Sequence, residues 1–470
     1  MGGGLRFLAL NAALLALGLK DALWAFIAIA FTYNFDATMW WWGSAIPTVS
    51  YSYWITVFAL GCTVLHLRKY DAPAVFKDPA LLLVALMVLF EALHFNPVDP
   101  VKHAQFLDRD TKSLLKMFVL ALTIRSPGRI RLFVWVLLIG AGGLGLEAWR
   151  NPRRESGRLY GIGTRDAQVD NTFGAHLALM VPLLIHFMVR GRKWERILAV
   201  VMGAFVLNGI ILTSSRGAFL ATAVGAGLYI IGSMGERKTR KRALYIALAG
   251  CVAFLFLIDQ VLLDRLATLI GGETEAFGEE KRITGSGRTI IWAAGWEMVK
   301  DHPFGLGGGG FRALSLPYLQ SLEGIDPDAV SMSESRAPHN TFLEVATETG
   351  VHALLCYLGV LMIACRRLWR ERKWARFELK NETWSGMVLA IGCTFASLMV
   401  ASVFGSRFHY EMFFWLVAMA SAVPAASRFL GRCSESPDGE AARMLDDDYL
   451  TGIEIRKVIF VFAGSLILLV

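Results

Sequence analysis

Residues 197–213 read ILAVVMGAFVLNGIILT, and after the turn Ser214-Ser215-Arg216 the chain continues over 217–234 as GAFLATAVGAGLYIIGSM. Neither run holds a charge, and each is close to the length a helix needs to cross the hydrocarbon core of a bilayer. In lipid, each backbone N–H and C=O must find its partner inside its own segment, so such runs form helices. The pair therefore reads as a transmembrane hairpin with one arginine at its tip. That reading sets the class of the whole chain.

Comparable runs recur from end to end. Residues 5–19 and 22–35, split by Lys20-Asp21, read as two tight spans, one broken span or a re-entrant pair. Residues 36–53 hold Trp40, Trp41 and Trp42, a cluster of the kind that sits at the lipid headgroups. Further spans are expected at 54–67, 79–95, 113–124, 132–146, 171–189, 243–260, 341–364, 384–404 and 410–429. The composition agrees: 55% hydrophobic and 18% charged residues, with mean hydropathy +0.48. The expectation is an all-α polytopic membrane protein of about twelve transmembrane helices. It divides into a bundle over 1–260, a large loop with short helices over 261–340, further spans over 341–430, and a tail over 431–470. The apolar end, 458–470, is too short to span comfortably. The first apolar run leads straight into others without a small-residue cleavage pattern, so no cleavable signal peptide is expected.

The net charge is +8. Most Lys and Arg lie in every second connection, such as Arg190 to Arg196, Arg237 to Arg242 and Arg366 to Lys380. This is the positive-inside pattern, so no nucleic-acid partner is implied, and these connections should face the cytoplasm. The other set, 96–110, 147–170, 214–216, 261–338 and 405–409, is then external. None of the six cysteines forms a CxxC pair, which speaks against disulfides and a thiolate zinc site.

One external connection opposes the charge rule. Residues 147–170 hold Arg150, Arg153, Arg154, Arg158 and Arg165. They form either a solvated loop or an anion site, since guanidinium groups fork onto phosphate oxygens. Arg216 adds to them at a helix N-terminus, where free N–H groups and the dipole favour an anion. Within the large loop, Ile291, Trp292, Gly295, Trp296 and Val299 recur at helical spacing and predict a helix over 288–300. Arg288, after Gly285-Ser286-Gly287, sits in its first turn. It is a surface arginine or one that meets an external anion. Gly307 to Gly310 should form a flexible turn. It is not a Walker A loop, because no Lys-Ser/Thr follows.

Arg336-Ala337-Pro338-His339-Asn340-Thr341-Phe342 closes the loop. Asn340 is a good N-cap for a helix opening at Thr341, and Pro338 holds the approach extended. His339 is then at the membrane–water boundary above a helix N-terminus. The positive dipole end would keep its ring neutral, as a general base requires, although a lone histidine is often structural. Asp108-Arg109-Asp110 is a carboxylate pair that can hold a divalent cation, but Asp110 can equally cap the span that follows. No metal and no cofactor is expected.

Taken together, Thr213-Ser214-Ser215-Arg216-Gly217, Gly285-Ser286-Gly287-Arg288 with Trp292, Asp301-His302-Pro303-Phe304-Gly305-Leu306-Gly307, and Pro338-His339-Asn340-Thr341-Phe342-Leu343-Glu344 resemble the pattern of bacterial O-antigen ligases. O-antigen polymerases and protein O-glycosyltransferases share that superfamily. The resemblance covers roughly 171–358. It implies a metal-independent integral-membrane glycosyltransferase, similar to the GT-C class, in the bacterial inner membrane with a periplasmic active site. The donor it implies is an undecaprenyl pyrophosphate-linked glycan and the acceptor is a lipid A-core sugar. In that setting His339 is the candidate base and Arg216 and Arg288 the candidate pyrophosphate clamp. Asn340, Arg153, Arg154, Arg165 and Asn171 are candidates for substrate binding. A polymerase, a protein O-oligosaccharyltransferase and a transporter of lipid-linked sugars are the alternatives. A transporter should show internal repeats and charges at the bilayer midplane, and neither is evident.

Overall fold

The computed structural model describes residues 2–155, 158–168, 170–257, 263, 287–322, 337–435, 456–461 and 463–464. In chain order its helices are α1 (Gly2–Gly18), α2 (Ala22–Asn34), α3 (Tyr51–Leu65), α4 (Ala72–Phe76), α5 (Pro79–Ala92), α6 (Pro100–Thr123) and α7 (Pro127–Arg150). Then come α8 (Asp170–Arg190), α9 (Lys193–Leu212), α10 (Arg216–Met234), α11 (Arg237–Leu257), α12 (Gly287–Asp301) and α13 (Gly310–Gln320). The last are α14 (Thr341–Glu348), α15 (Val351–Phe377), α16 (Glu382–Val403) and α17 (Glu411–Glu435). Among the described residues a single two-residue hairpin, β1 (Arg154–Glu155) with β2 (Arg158–Leu159), interrupts the helical pattern.

Among the described residues seven helices, α7 to α10 and α15 to α17, are long and apolar enough to cross a membrane. The chain is therefore an all-α multi-pass membrane protein. Of the expected twelve spans, α1, α2, α3 and α5 are shorter apolar helices. The run at 113–124 is the apolar second half of the longer amphipathic helix α6. Helices α7 and α8 are buried nearly all round and form the centre, whereas α9, α10 and α15 leave much of their apolar surface exposed, as lipid-facing helices do.

The largest departure is at 341–364, expected as one span. It is two helices, α14 and α15, separated at Gly350, whose φ is +105°. The break has partners: Leu306 and Gly307 N–H groups donate to the Thr347 and Glu348 carbonyls, each at 2.9 Å. A Cβ at Gly350 would stand 2.6 Å from His352 Cε1 and 2.8 Å from Phe304 C. Gly350→Ala should therefore lower stability by about 1–3 kcal/mol, read as a fall in melting temperature of the detergent-solubilised protein.

Other local expectations are corrected. Trp40 and Trp42 are buried against Phe35 and Phe7, and only Trp41 of that cluster is exposed. The glycines 307–310 are a packed turn, since Gly307 abuts Pro97 and the Gly308 N–H donates to His103 Nδ1 at 3.0 Å. Asp110 is no cap: α6 starts earlier, with Asp99 accepting from Lys102 N at 2.9 Å. Most of 258–286, 323–336 and the tail beyond 435 lies outside the described residues, so those parts of the expected large loop and apolar end do too.

The basic connections gather at one end of the bundle, where Arg129 pairs with Asp21, Arg131 with Glu195, Arg190 with Glu236 and Arg367 with Asp78. At the opposite end the connections are tied to each other. The Val98 N–H donates to Leu306 O at 2.9 Å, and the Tyr33 hydroxyl donates to Asp166 at 2.6 Å. Helices α12 and α13 pack there on a small core of Ile291, Ala294, Met298, Leu306, Phe311 and Leu319.

Candidate active site

Helix α10 begins at Arg216 because Ser215 caps it, its hydroxyl accepting from Ala218 N at 3.4 Å. Ser214 just before it is left-handed, with φ +46°, which reverses the chain between α9 and α10. At position 217 only glycine fits, since a Cβ would be 2.9 Å from Phe404 Cβ. Arg216 thus stands in the first turn of a helix whose N-terminal peptide groups face the same space.

That space is a cavity of 60 Å³ whose lining includes Arg158, Asn171, Ser214, Arg216, Arg288 and Arg407. The four guanidinium groups come from four separate places: β2, the start of α10, the start of α12, and the connection between α16 and α17. None of the described residues lining the cavity is a carboxylate. Asn171 is the hub. Its side-chain oxygen accepts from Arg158 Nη2 at 2.8 Å, and its carbonyl accepts from Arg407 Nη2 at 2.8 Å. Arg158 Nε also donates to Thr213 O at 3.1 Å, fixing β2 against the hairpin tip. Arg407 is 3% exposed. Burial pulls its pKa below the usual arginine value, opposed by Tyr410 and Asp166. Burial and then the neighbouring Arg216 guanidinium lower that of Arg288 as well. Like charges held this closely, away from bulk water, repel, and an anion between them removes that cost.

The Pro338-His339-Asn340 turn is joined to this cavity through the Thr341 hydroxyl. Asn340 caps α14 as expected, its Oδ1 accepting from Phe342 N at 3.0 Å and Leu343 N at 3.2 Å. Thr341 Oγ1 then donates to Gly405 O at 2.8 Å and accepts from the Arg407 N–H at 2.9 Å. The start of α14 and the Arg407 connection are therefore one unit. Pro338 is buried, and its carbonyl accepts from Trp292 Nε1 of α12 at 3.0 Å. Between these two anchors His339 is exposed, with φ +48°. A left-handed non-glycine residue costs about 1–3 kcal/mol and persists only where its surroundings impose it. Here the flanking anchors impose it, and they present the imidazole outward beside the helix N-terminus. Thr341→Val removes both hydrogen bonds at constant shape. It should lower stability by about 1–3 kcal/mol, because the Gly405 carbonyl and the Arg407 N–H are left without this partner, read as a fall in melting temperature of the detergent-solubilised protein.

The structure thus brings Arg216, Arg288 and Asn171 together and ties Asn340 to their neighbour. It does not bring Arg153 or Arg165 to the cavity. Arg153 is exposed, 4.0 Å from Glu147, and Arg165 is exposed, 3.9 Å from Asp36. Arg165 lines a separate cavity of 360 Å³ with Lys112, Lys116 and Glu411. The backbone of Arg154 lies in β1, and its side chain is outside the described residues. Arg158, not singled out from the five arginines by sequence, is the one that lines the cavity among those whose side chains are described. Arg407 was missed altogether. Its signal was present: an arginine in a short connection that the charge rule assigns to the external side.

The Asp108-Arg109-Asp110 pair cannot chelate. Residues two apart on a helix face different ways. Asp108 is exposed and paired with Lys112 at 2.6 Å, while Asp110 is fully buried against His409.

Residues 202–358 match a family model described as O-Antigen ligase. The chain is 25% identical over 288 residues to an O-antigen ligase of Pseudomonas aeruginosa, in a match taking in 60% of this chain and 62% of that protein. The chain therefore matches about three fifths of the length of that curated relative. The family resemblance drawn from the motifs holds. The family segment contains Arg216, Arg288, His339 and Asn340, whereas Arg158, Asn171 and Arg407 lie outside it.

Proposed function

We propose that this chain, an O-antigen ligase relative through its central segment, transfers a glycan from undecaprenyl pyrophosphate to a hydroxyl of the lipid A-core in the bacterial inner membrane, at the periplasmic face. The observation that carries the reading is the meeting of four guanidinium groups at a cavity with no carboxylate among its described lining residues, next to a helix N-terminus. This arrangement suits a diphosphate: bidentate donors and peptide N–H groups together stabilise negative charge.

In the proposed reaction the bond between the anomeric carbon and the pyrophosphate oxygen breaks, and the electron pair leaves with the pyrophosphate. Arg216 and Arg288 take up that charge, with Arg158 and Arg407 beside them. Donors fixed in advance stabilise charge as it develops, without reorganising at the moment of reaction. The acceptor hydroxyl forms the new carbon–oxygen bond from the opposite face, and its proton passes to His339. One displacement inverts the anomeric configuration. The chain's own residues supply each part, so neither a metal nor a cofactor enters the step.

The acceptor is tested by lipopolysaccharide from a strain lacking this chain. A ligase predicts bare core and accumulated lipid-linked glycan on the gel. Core bearing a single repeat would make the chain a polymerase, and unchanged lipopolysaccharide with underglycosylated protein would make it a protein O-oligosaccharyltransferase.

A further inference from the structure

A second cluster of polar side chains lies behind the Arg407 connection, and nothing in the proposed transfer uses it. Arg407 faces the guanidinium cavity, while His409, two residues on, turns to Asp110 of α6, its Nδ1 2.8 Å from Oδ2. His409 Nε2 is 3.7 Å from Glu348 Oε2, at the end of α14. Glu91 of α5 completes the group. One ligand atom each from Glu91, Asp110 and His409 lie within 4.8 Å of one another. All four residues are more than nine-tenths buried.

The hydrogen bonding of this cluster is incomplete. Both carboxylate oxygens of Glu91, Oδ1 of Asp110, Oε2 of Glu348 and Nε2 of His409 are buried with no hydrogen-bond partner. Buried polar atoms are nearly always paired, and a buried carboxylate without a counter-charge costs several kcal/mol. Were all three carboxyl groups ionised, one imidazolium would balance only one of them, and a cation or retained protons would have to balance the rest. The Phe106 ring stacks on His409 with centroids 4.1 Å apart and closes one side of the group to water. Ligand atoms at these separations can share one ion, since oxygen and nitrogen ligands sit about 2.0–2.6 Å from a divalent cation.

We propose that Glu91, Asp110 and His409, with Glu348 as a fourth ligand, bind one divalent metal cation of the Mn²⁺ or Zn²⁺ kind. Carboxylate ligands suit Mn²⁺, and an imidazole with carboxylates suits Zn²⁺. The ion joins α5, α6, the end of α14 and the 404–410 connection. Those are the elements that hold Arg407 and the cap of α14 in place, so its role is to position the transfer site and not to touch the pyrophosphate.

The test is metal content. The full chain, purified in detergent without chelators, is expected to carry about one Mn²⁺ or Zn²⁺ per molecule by elemental analysis. Glu91→Gln and Asp110→Asn should each reduce that by at least about tenfold. Chelation with heat should lower the wild-type melting temperature, and added MnCl₂ or ZnCl₂ should restore it, with no restoration in Asp110→Asn. Wild-type protein free of metal, with a melting temperature unmoved by either salt, would overturn the site and leave shared protons to balance the carboxylates. So would metal retained at full stoichiometry in both variants, because the ion would then lie elsewhere. Neither result bears on whether the chain transfers glycan, which the lipopolysaccharide gel reports separately.

Discussion

His339→Ala is expected to lower glycan transfer by about 10²–10⁴-fold, the range a positioned general base contributes. Expression and membrane insertion should remain intact, because His339 is exposed. The turn around it is held by other residues: Asn340 caps α14, Pro338 receives the Trp292 hydrogen bond, and Thr341 ties the helix to the Arg407 connection. A His339→Asn variant separates base from fold, since asparagine tolerates the left-handed backbone but takes up no proton. It should be as inactive as His339→Ala in a transfer assay with purified lipid-linked donor. Normal transfer by either variant would remove the imidazole from the reaction.

Arg216→Ala and Arg288→Ala are each expected to weaken use of the lipid-linked donor by about 10- to 150-fold, the equivalent of roughly 1.5–3 kcal/mol for a charge-assisted hydrogen bond. Lysine should not rescue either, because a point charge lacks the planar fork that meets two phosphate oxygens. The geometry sharpens this into a contrast within one loop. Arg158→Ala should impair donor use, because its guanidinium lines the cavity and is fixed by Asn171 and Thr213. Arg153→Ala should change it by less than about threefold, since an exposed arginine at the edge of a charge pair contributes little. Donor titrations at fixed acceptor concentration measure both. Equal effects at 153 and 158 would mean that the loop acts through its overall charge and not through a cradle.

The helices themselves were legible because their cause is local. A run without charges must satisfy its own backbone in lipid, and its length decides whether it spans, so 197–213 emerges within α9, which starts earlier at Lys193, and 217–234 within α10, which starts at Arg216. The helix at 288–300, the cap at Asn340 and the helix start at Arg216 were equally local signals of periodicity and side-chain capping. The break at Gly350 was not. The segment is apolar enough to read as continuous, and what opens it is the 304–307 backbone, which hydrogen-bonds to α14 from outside.

Sequence by itself determined the membrane class and the positions of most helices. It did so because transfer free energy and helix periodicity depend only on neighbours in the chain. Which arginine of the 147–170 loop joins Arg216, that Arg407 joins it too, and that Glu91, Asp110, Glu348 and His409 share one buried space were decided by tertiary structure alone. Those groupings depend on which helix lies beside which. A guanidinium or carboxylate carries no mark in the sequence of the distant segment that packing will bring against it.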